Sequence, residues 1–450
     1  MKSALDRRAF LRRSSVAGAG LLVLSDARRV FAAEANTRLN IAGIGIGGQG
    51  RGNLDTVARL GENLVALCDV DQARAGDIGQ KHPGAKRYTD FRRMFDEMDR
   101  EIDAVVISTP DHTHAVAAVA AMQRGKHVYC EKPLTRTVHE ARVLRAMALK
   151  SQVVTQMGNQ GSASDALRAA VEQVTQGTLG EVREAHVWFD GGNGPLERPQ
   201  ETPAVPAALD WNLWLGPAED RPYHPRYLPA SWRGWRAFGS GIVGDFGCHT
   251  GNILFRALRL VELWDGAGGG GPGRVILRVQ AWPSEVNAEG YPRSMRATVD
   301  VPARAGLPPV KLTLWAKERP PADLMLGHPQ QGWGDLLVGS KGSLYSECPW
   351  NTRFTLLPEA KFAEFKSGPP RRLPRSPGHH AEWVRACKGQ GKTFSSFEVG
   401  GPMTELLQLV NLATLVEGSI DYDIVSGRIV NHDRASALLH RVYRPGWTLG

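Results

Sequence analysis

The sequence predicts an α/β fold, in which a doubly wound parallel sheet precedes a second α/β domain with a mostly antiparallel sheet. Three observations carry this reading. Short apolar runs alternate with helical patterns from Leu39 to Met157, and that alternation calls for a parallel sheet covered on both faces. Glycines 45, 47 and 50 stand between the first apolar run and the first helical pattern. After about residue 160 the apolar runs lengthen and helical patterns thin out. The expected division is 1–35 as a leader, 36–160 as the first domain and 161–450 as the second.

Leu39 to Ile44 reads as a short buried strand. Gly45-Ile46-Gly47-Gly48-Gln49-Gly50 follows, and Arg51 to Leu60 reads as helix. This is G-x-G-x-x-G in its dinucleotide-binding context. Gly45 permits the tight turn, and Gly47 lets a pyrophosphate approach the backbone. Gly50 lets helix and strand pack closely. A second run, Asn63 to Cys68, ends at Asp69, where an acidic side chain suits the adenosine ribose hydroxyls. The fold expected is therefore of Rossmann type. The Asp69 charge favours NAD over NADP, while Arg51 and Arg74 nearby soften that preference.

Further strands are expected at Ala104–Ser108, His127–Cys130 and Val153–Gln156, and helices at Ala115–Gly125 and Val138–Lys150. Thr109-Pro110-Asp111 and Glu131-Lys132-Pro133 follow two of these strands. Ligands of open α/β sheets bind at the carboxyl ends of strands, so both turns face the cofactor. In the second domain one helix is expected at Asp165–Gln176. Strands are expected at Val182–Phe189, Arg274–Trp282, Arg296–Val301, Val310–Ala316 and Gly334–Gly339. Two later helices are expected at Ala381–Cys387 and Met403–Glu417. Gly266 to Gly273 reads as a glycine-rich loop.

With 450 residues, 42% hydrophobic and 22% charged, the chain can build a large core. The net charge is +9, but seven Lys/Arg against three Asp/Glu in the first 35 residues carry +4 of it. A charge of +5 over the other 415 residues is too dilute for a nucleic-acid surface. Five cysteines with no C-x-x-C pair suggest neither a zinc site nor a disulfide framework. Cys68 and Cys130 close predicted strands and read as buried apolar residues. The leader contains Arg7-Arg8, an apolar stretch Val16–Leu24, and small residues at Ala32, Ala33 and Ala35. It resembles a twin-arginine (Tat) export signal, with Asp6 where Ser or Thr is usual. The apolar stretch is too short for a permanent membrane anchor. The expected location is periplasmic or otherwise extracytoplasmic.

Lys132 on its Glu-Pro-flanked turn can polarise a hydroxyl or carbonyl oxygen; a solvated surface lysine is the alternative. Asp245 and His249, in Gly244-Asp245-Phe246-Gly247-Cys248-His249, share a face if helical. A helix is expected over Thr250–Leu260, which sets His249 near a helix N-terminus and biases its ring to the neutral form of a base. Asp245 would then orient the ring. On spacing alone, a capping aspartate beside a core histidine is the favoured reading. The pair could also be half a metal site, but no third ligand is evident, so no metal is expected. Trp211, Trp214, Tyr223, Tyr227, Trp232, Trp235 and Phe238 crowd the segment before it. They suit either a sugar face or an inter-domain plug. Trp232 and Arg233 are candidate substrate contacts, and Arg233 and Arg236 could also bond cofactor phosphate.

The ordered motifs I-G-I-G-G-Q-G (44–50), C-D-V-D (68–71), S-T-P-D-H-T-H (108–114), E-K-P (131–133), M-G-N-Q (157–160) and G-D-F-G-C-H (244–249) resemble those of the Gfo/Idh/MocA oxidoreductases. This is the glucose-fructose oxidoreductase and inositol dehydrogenase group, and the resemblance spans residues 39 to about 445. It implies an open sheet in the second domain and assembly as a homodimer or homotetramer. It also implies hydride transfer between NAD(P) and a carbinol carbon of a sugar, sugar derivative or cyclitol. By motif position it implies Lys132, Asp245 and His249 as catalytic residues. It implies Thr109, Pro110, His114, Glu131, Asn159 and Gln160 as cofactor-side residues. The exported subset is most similar, and some of its members hold the cofactor tightly and recycle it within one cycle. Two alternatives follow: such recycling, in sugar–sugar oxidoreduction or redox-assisted glycoside cleavage, and a non-catalytic carbohydrate-binding protein. The Y-P-T-H motif of the glycoside-cleaving relatives is replaced here by G-D-F-G-C-H.

Overall fold

The computed structural model describes residues 38–266, 273–363 and 371–450. The leader and most of the 266–273 glycine loop lie outside the described residues. The first sheet has strands β1 (Asn40–Ile44), β2 (Asn63–Cys68), β3 (Lys86–Tyr88), β4 (Ala104–Ile107), β5 (His127–Glu131) and β6 (Thr155–Gly158). All pair in parallel, in the order β3-β2-β1-β4-β5-β6. The strand order reverses between β1 and β4, so a crevice opens there at the carboxyl ends.

The glycine fingerprint behaves as its spacing predicts. Gly45 takes φ +77°, and a Cβ on it would lie 2.8 Å from the Ser108 carbonyl; at Gly50 a Cβ would lie 1.9 Å from the Gly45 oxygen. Helix α1 (Gln49–Arg59) starts two residues earlier than expected and takes Gly50 into its first turn. Helix α2 (Asp111–Gln123) also starts early, because Pro110, with φ −60°, opens it directly. His112 and His114 are therefore helical. Helix α3 (Val138–Ser151) begins with a capping box between Thr137 and Glu140 and ends at left-handed Gln152. The helix runs one residue past its expected end, and β6 begins two residues after its expected start.

The second sheet has nine strands: β7 (Val182–Phe189), β8 (Ile276–Pro283), β9 (Met295–Val301), β10 (Val310–Ala316), β11 (Gly334–Gly339), β12 (Gly342–Ser346), β13 (Thr355–Leu357), β14 (Ser419–Asp423) and β15 (Arg428–Ile429). Their order is β13-β12-β11-β7-β10-β9-β8-β14-β15. Only β7 and β10 pair in parallel.

The helix expected at 250–260 is a correction. Helix α4 runs over Gly241–Thr250, and a separate short helix follows at Asn252–Ala257. His249 thus sits in the last turn of a helix, not before one. Helix α5 (Phe397–Ala413) begins six residues before the expected start and packs against α3 and α4. One apolar cluster, from Ala42 and Val105 through Leu254 to Val299 and Leu409, joins the two sheets. It fixes α4 beneath the crevice of the first sheet.

Candidate functional site

A cavity of about 520 Å³ occupies that crevice, a size usual for small-molecule sites. Gly45, Gly47, Asp69, Thr109, Lys132 and His249 all line it, so the fingerprint and the later motifs meet in one place. Asp69 accepts the N–H groups of Ile46 and Asp71, each at 2.9 Å. Burial raises its carboxyl above the usual range, against these bonds. Arg74 lines the same wall, whereas Arg51 is engaged by Asp55 and Asp77. The buried Thr109 hydroxyl has no hydrogen-bond partner among the described residues. A glycine cradle, a ribose-side carboxylate and an unpartnered hydroxyl fit a dinucleotide.

Glu131, at the end of β5, accepts Asn53 Nδ2 at 2.9 Å and Gln160 Nε2 at 2.8 Å. Burial raises its carboxyl, and the Asn53 bond opposes that. Next to it, Lys132 Nζ donates to the Asp245 backbone carbonyl at 3.0 Å and to the Asp245 carboxylate. It also lies 5.5 Å from the Phe246 ring centroid. Arg233 Nε stands 3.3 Å from the other Asp245 oxygen. Burial would push the Asp245 carboxyl up, but Lys132 and then Arg233 outweigh it and hold it below its ordinary value.

His249 is 4% exposed, and its Nδ1 has no hydrogen-bond partner among the described residues. Burial, then the Lys132 charge, pulls its pKa down to about 3, against the pull of Asp245. The ring is neutral, as expected, but for a different reason. A helix C-terminus favours the cation, so desolvation and Lys132 do the work assigned to a helix N-terminus. The expected orienting bond from Asp245 is also corrected. Both its carboxylate oxygens face cations, Lys132 and Arg233, and the one-turn spacing couples it to His249 through charge alone.

Two expected cofactor-side residues stand behind the cavity wall. The His114 ring nitrogens lie 2.9 Å from the carbonyls of Pro133 and Thr109, tying the two turns together. Asn159 Nδ2 donates to the Cys248 carbonyl at 3.2 Å, tying β6 to α4. Gly50 likewise packs and does not line the cavity. Pro110 and Gln160 line it as expected, as do Trp232 and Arg233, the guanidinium lying 4.3 Å from the Trp232 ring centroid. Most of the aromatic segment forms a separate packed cluster, so the plug reading holds for those rings. Arg236 lines a different cavity.

Three lining residues beside the catalytic candidates had no assigned role: Asp111, Phe246 and Trp350. Asp111, 2% exposed, opens α2; burial, then Asp245, raises its carboxyl to about 7, while Arg233 and a Ser240 hydrogen bond oppose the shift. Its place after Thr109-Pro110 was the available clue. Phe246 and Trp350 flank His249 with ring centroids at 6.2 and 6.4 Å. Trp350 comes from the β12–β13 connection, which carries no motif.

Residues 39–159 match the family model for the oxidoreductase family NAD-binding Rossmann fold, and 189–254 match that for its C-terminal alpha/beta domain. Both models are those of the Gfo/Idh/MocA oxidoreductase family. Over 123 residues it is 35% identical to inositol 2-dehydrogenase 2 of Saccharopolyspora erythraea, covering 27% of this chain and 36% of that one. Over 205 residues it is 23% identical to 1,5-anhydro-D-fructose reductase of Ensifer adhaerens, covering 45% and 50%. The chain thus spans about a third to a half of the length of these curated relatives. Among solved structures it is similar to an inositol dehydrogenase homolog from Azotobacter vinelandii, complexed with NADH and myo-inositol. The TM-score is 0.55 at 20% identity, covering 86% of this chain and 98% of that one. It is also similar to an aldose-aldose oxidoreductase from Caulobacter crescentus, with TM-score 0.54 at 16% identity and coverage of 85% and 99%. These structures share the fold.

Proposed function

We propose that the protein is an exported oxidoreductase that uses NAD in preference to NADP and acts on a hydroxyl-bearing carbon of a sugar, sugar derivative or cyclitol. One observation carries the reading: a single cavity is lined both by the Gly45–Gly47 cradle with Asp69 and by Lys132 with His249. The dehydrogenase and reductase names of the relatives agree with it.

Gly45, Gly47, Asp69 and Thr109 would hold the dinucleotide, whose nicotinamide supplies hydride chemistry when bound. Neutral His249 takes the hydroxyl proton as the alkoxide develops. The Lys132 ammonium stabilises negative charge on that oxygen. Asp245, whose other oxygen faces Arg233, holds Lys132 in place, and Trp232 presents an apolar face to the ring carbons. The Asp69 charge disfavours the 2′-phosphate of NADP.

Arg7-Arg8 and the apolar stretch behind it support export by the twin-arginine machinery, which accepts folded cargo. Export supports tight retention of the cofactor, because free NAD is scarce outside the cytoplasm. Assembly as a homodimer or homotetramer completes the reading, and light scattering measures it directly. The test of function is the absorbance of the purified protein with NAD and a panel of sugars and cyclitols. Reduction of NAD by at least one member is expected. A protein that binds NAD yet reduces it with no member of a broad panel refutes the assigned activity.

A further inference from the structure

A second cavity, of about 340 Å³, shares no lining residue with the first. It lies between the turn that follows Lys132, the 219–237 segment and the C-terminal tail. Arg136, Arg198, Arg221, Arg236 and Arg441 line it, against the carboxylates Glu219 and Glu289. Val442, 94% exposed, lines it too, so the cavity opens to solvent.

Charges in this cavity do not balance. Arg221 pairs with Glu289 at 3.1 Å and Glu219 at 3.5 Å, and Arg198 shares both carboxylates, so the excess charge lies with the remaining arginines. Arg136, Arg236 and Arg441 have no carboxylate within ion-pair distance among the described residues. Arg236 is 9% exposed and donates to the Gly290 carbonyl at 2.6 Å and the Thr414 hydroxyl at 3.2 Å. Arg136 donates to the Arg236 carbonyl. Glu140, the carboxylate that attracts Arg441, is committed to the N–H groups of Thr137 and Arg136 and to the Tyr443 hydroxyl. Three guanidinium nitrogens, Arg136 Nε, Arg221 Nε and Arg441 Nη1, are buried with no hydrogen-bond partner among the described residues. Burial, then Arg136, pulls Arg441 down to about 10. Burial also lowers Arg236 to about 10, opposed by Tyr291 and reinforced by Arg136.

Guanidinium groups keep their charge, so a cluster like this is costly unless an anion joins it. Orphaned buried N–H groups add to that cost. A carboxylate offers two oxygens and one charge, whereas a phosphate or sulfate group offers more acceptors and up to two charges. Arginine forks match it bidentately. We propose that this cavity binds a tetrahedral oxyanion, a phosphate or sulfate group, through Arg136, Arg221 and Arg441. The inference is independent of the oxidoreductase reading.

The cavity is nonetheless wired to the first site. Gln408, on its wall, donates at 2.9 Å to both the Thr135 carbonyl and the Ser240 hydroxyl, and Ser240 hydrogen-bonds Asp111.

The test is calorimetric titration of the full chain with inorganic phosphate, inorganic sulfate and a sugar phosphate, in chloride buffer. Saturable binding is expected. Arg136→Gln and Arg441→Gln should each weaken it by about tenfold or more, the cost of losing a charge-assisted bond. A sugar phosphate binding tighter than inorganic phosphate identifies the source as an ester; equal affinity identifies the free ion. Arg441→Gln should also raise the unfolding midpoint without phosphate, because it relieves like-charge repulsion. Absence of saturable binding overturns the proposal. So does phosphate binding that survives both substitutions, as binding at the Gly45–Gly47 cradle would.

Discussion

Lys132 holds Asp245 at two points, its Nζ donating to the backbone carbonyl at 3.0 Å and to the carboxylate. The consequence falls on His249, one helical turn further along. The ammonium adds to burial in keeping that ring neutral, with a pKa of about 3. Lys132→Ala should therefore raise the His249 pKa while leaving it below its ordinary 6.5, because burial persists. An NMR titration of the ring reads this directly. An unmoved His249 would show that the lysine does not tune it.

The chemical step should respond to the same pair. His249→Ala is expected to slow cofactor reduction by roughly 10² to 10⁴, and Lys132→Ala by a comparable factor. The double variant should lose less than the product, since both act on one oxygen and its proton. Asp245→Asn should resemble Lys132→Ala more than His249→Ala, because the carboxylate touches Lys132 and Arg233. Single-turnover reduction of bound NAD is the measurement. A wild-type rate in His249→Ala removes it as the base and leaves Lys132 as the candidate.

At the nucleotide end, Asp69→Ala should weaken NAD more than NADP, narrowing the preference. The substitution also frees the Ile46 and Asp71 N–H groups that the carboxylate accepts, so some loss is common to both cofactors. Asp69→Asn keeps an acceptor for one of them and isolates the charge effect. Dissociation constants for both nucleotides decide it, and an unchanged ratio in Asp69→Asn removes charge as the basis of selectivity.

The proposed export rests on Arg7 and Arg8. Changing both to Lys should leave the protein in the cytoplasm, because the exporter reads the twin-arginine pair. Fractionation of cells expressing each form tests it, and unchanged export contradicts the Tat assignment.

The first sheet was legible because its cues are local. Glycines 45, 47 and 50 encode a turn and a close approach that other residues cannot make, and β1, β2 and β4 are apolar runs bounded by polar turns. Strands β7, β10 and β11 were legible to the residue, as longer runs set off by polar or glycine flanks. Errors cluster where a single backbone event decides the outcome: Pro110 opening α2, Gln152 ending α3, and Gly251 dividing α4 from the helix after it. His249 was placed at the wrong end of a helix for this last reason. Side-chain partners were less legible than elements. Asp111 and Asp245 are far apart in sequence, and only the packing of α4 against the first sheet brings their charges together. Trp350 and the five arginines of the second cavity carry no motif at all.

Asp111 offers the sharpest pH test. Its carboxyl is buried and raised to about 7 by desolvation and by Asp245. Below pH 3.8, its ordinary value, both folded and unfolded chains keep this proton. Between there and about 7 the unfolded chain releases it while the folded chain retains it. The contribution of Asp111 to stability is therefore full at low pH and declines as pH rises through this window, by at most about 1.4 kcal/mol per pH unit. Above it, the group is an ionised carboxylate held against Asp245, offset by Arg233 and Lys132. Asp111→Asn removes the titration, so the fall of the urea midpoint between pH 4 and 7 should become shallower than in wild type. The activity profile should also lose an inflection near pH 7, because the group lines the cavity with Lys132. Both curves are needed. A shallower stability slope with an unchanged activity profile makes Asp111 a buried structural carboxyl, and identical slopes in both proteins mean that it does not titrate in this range.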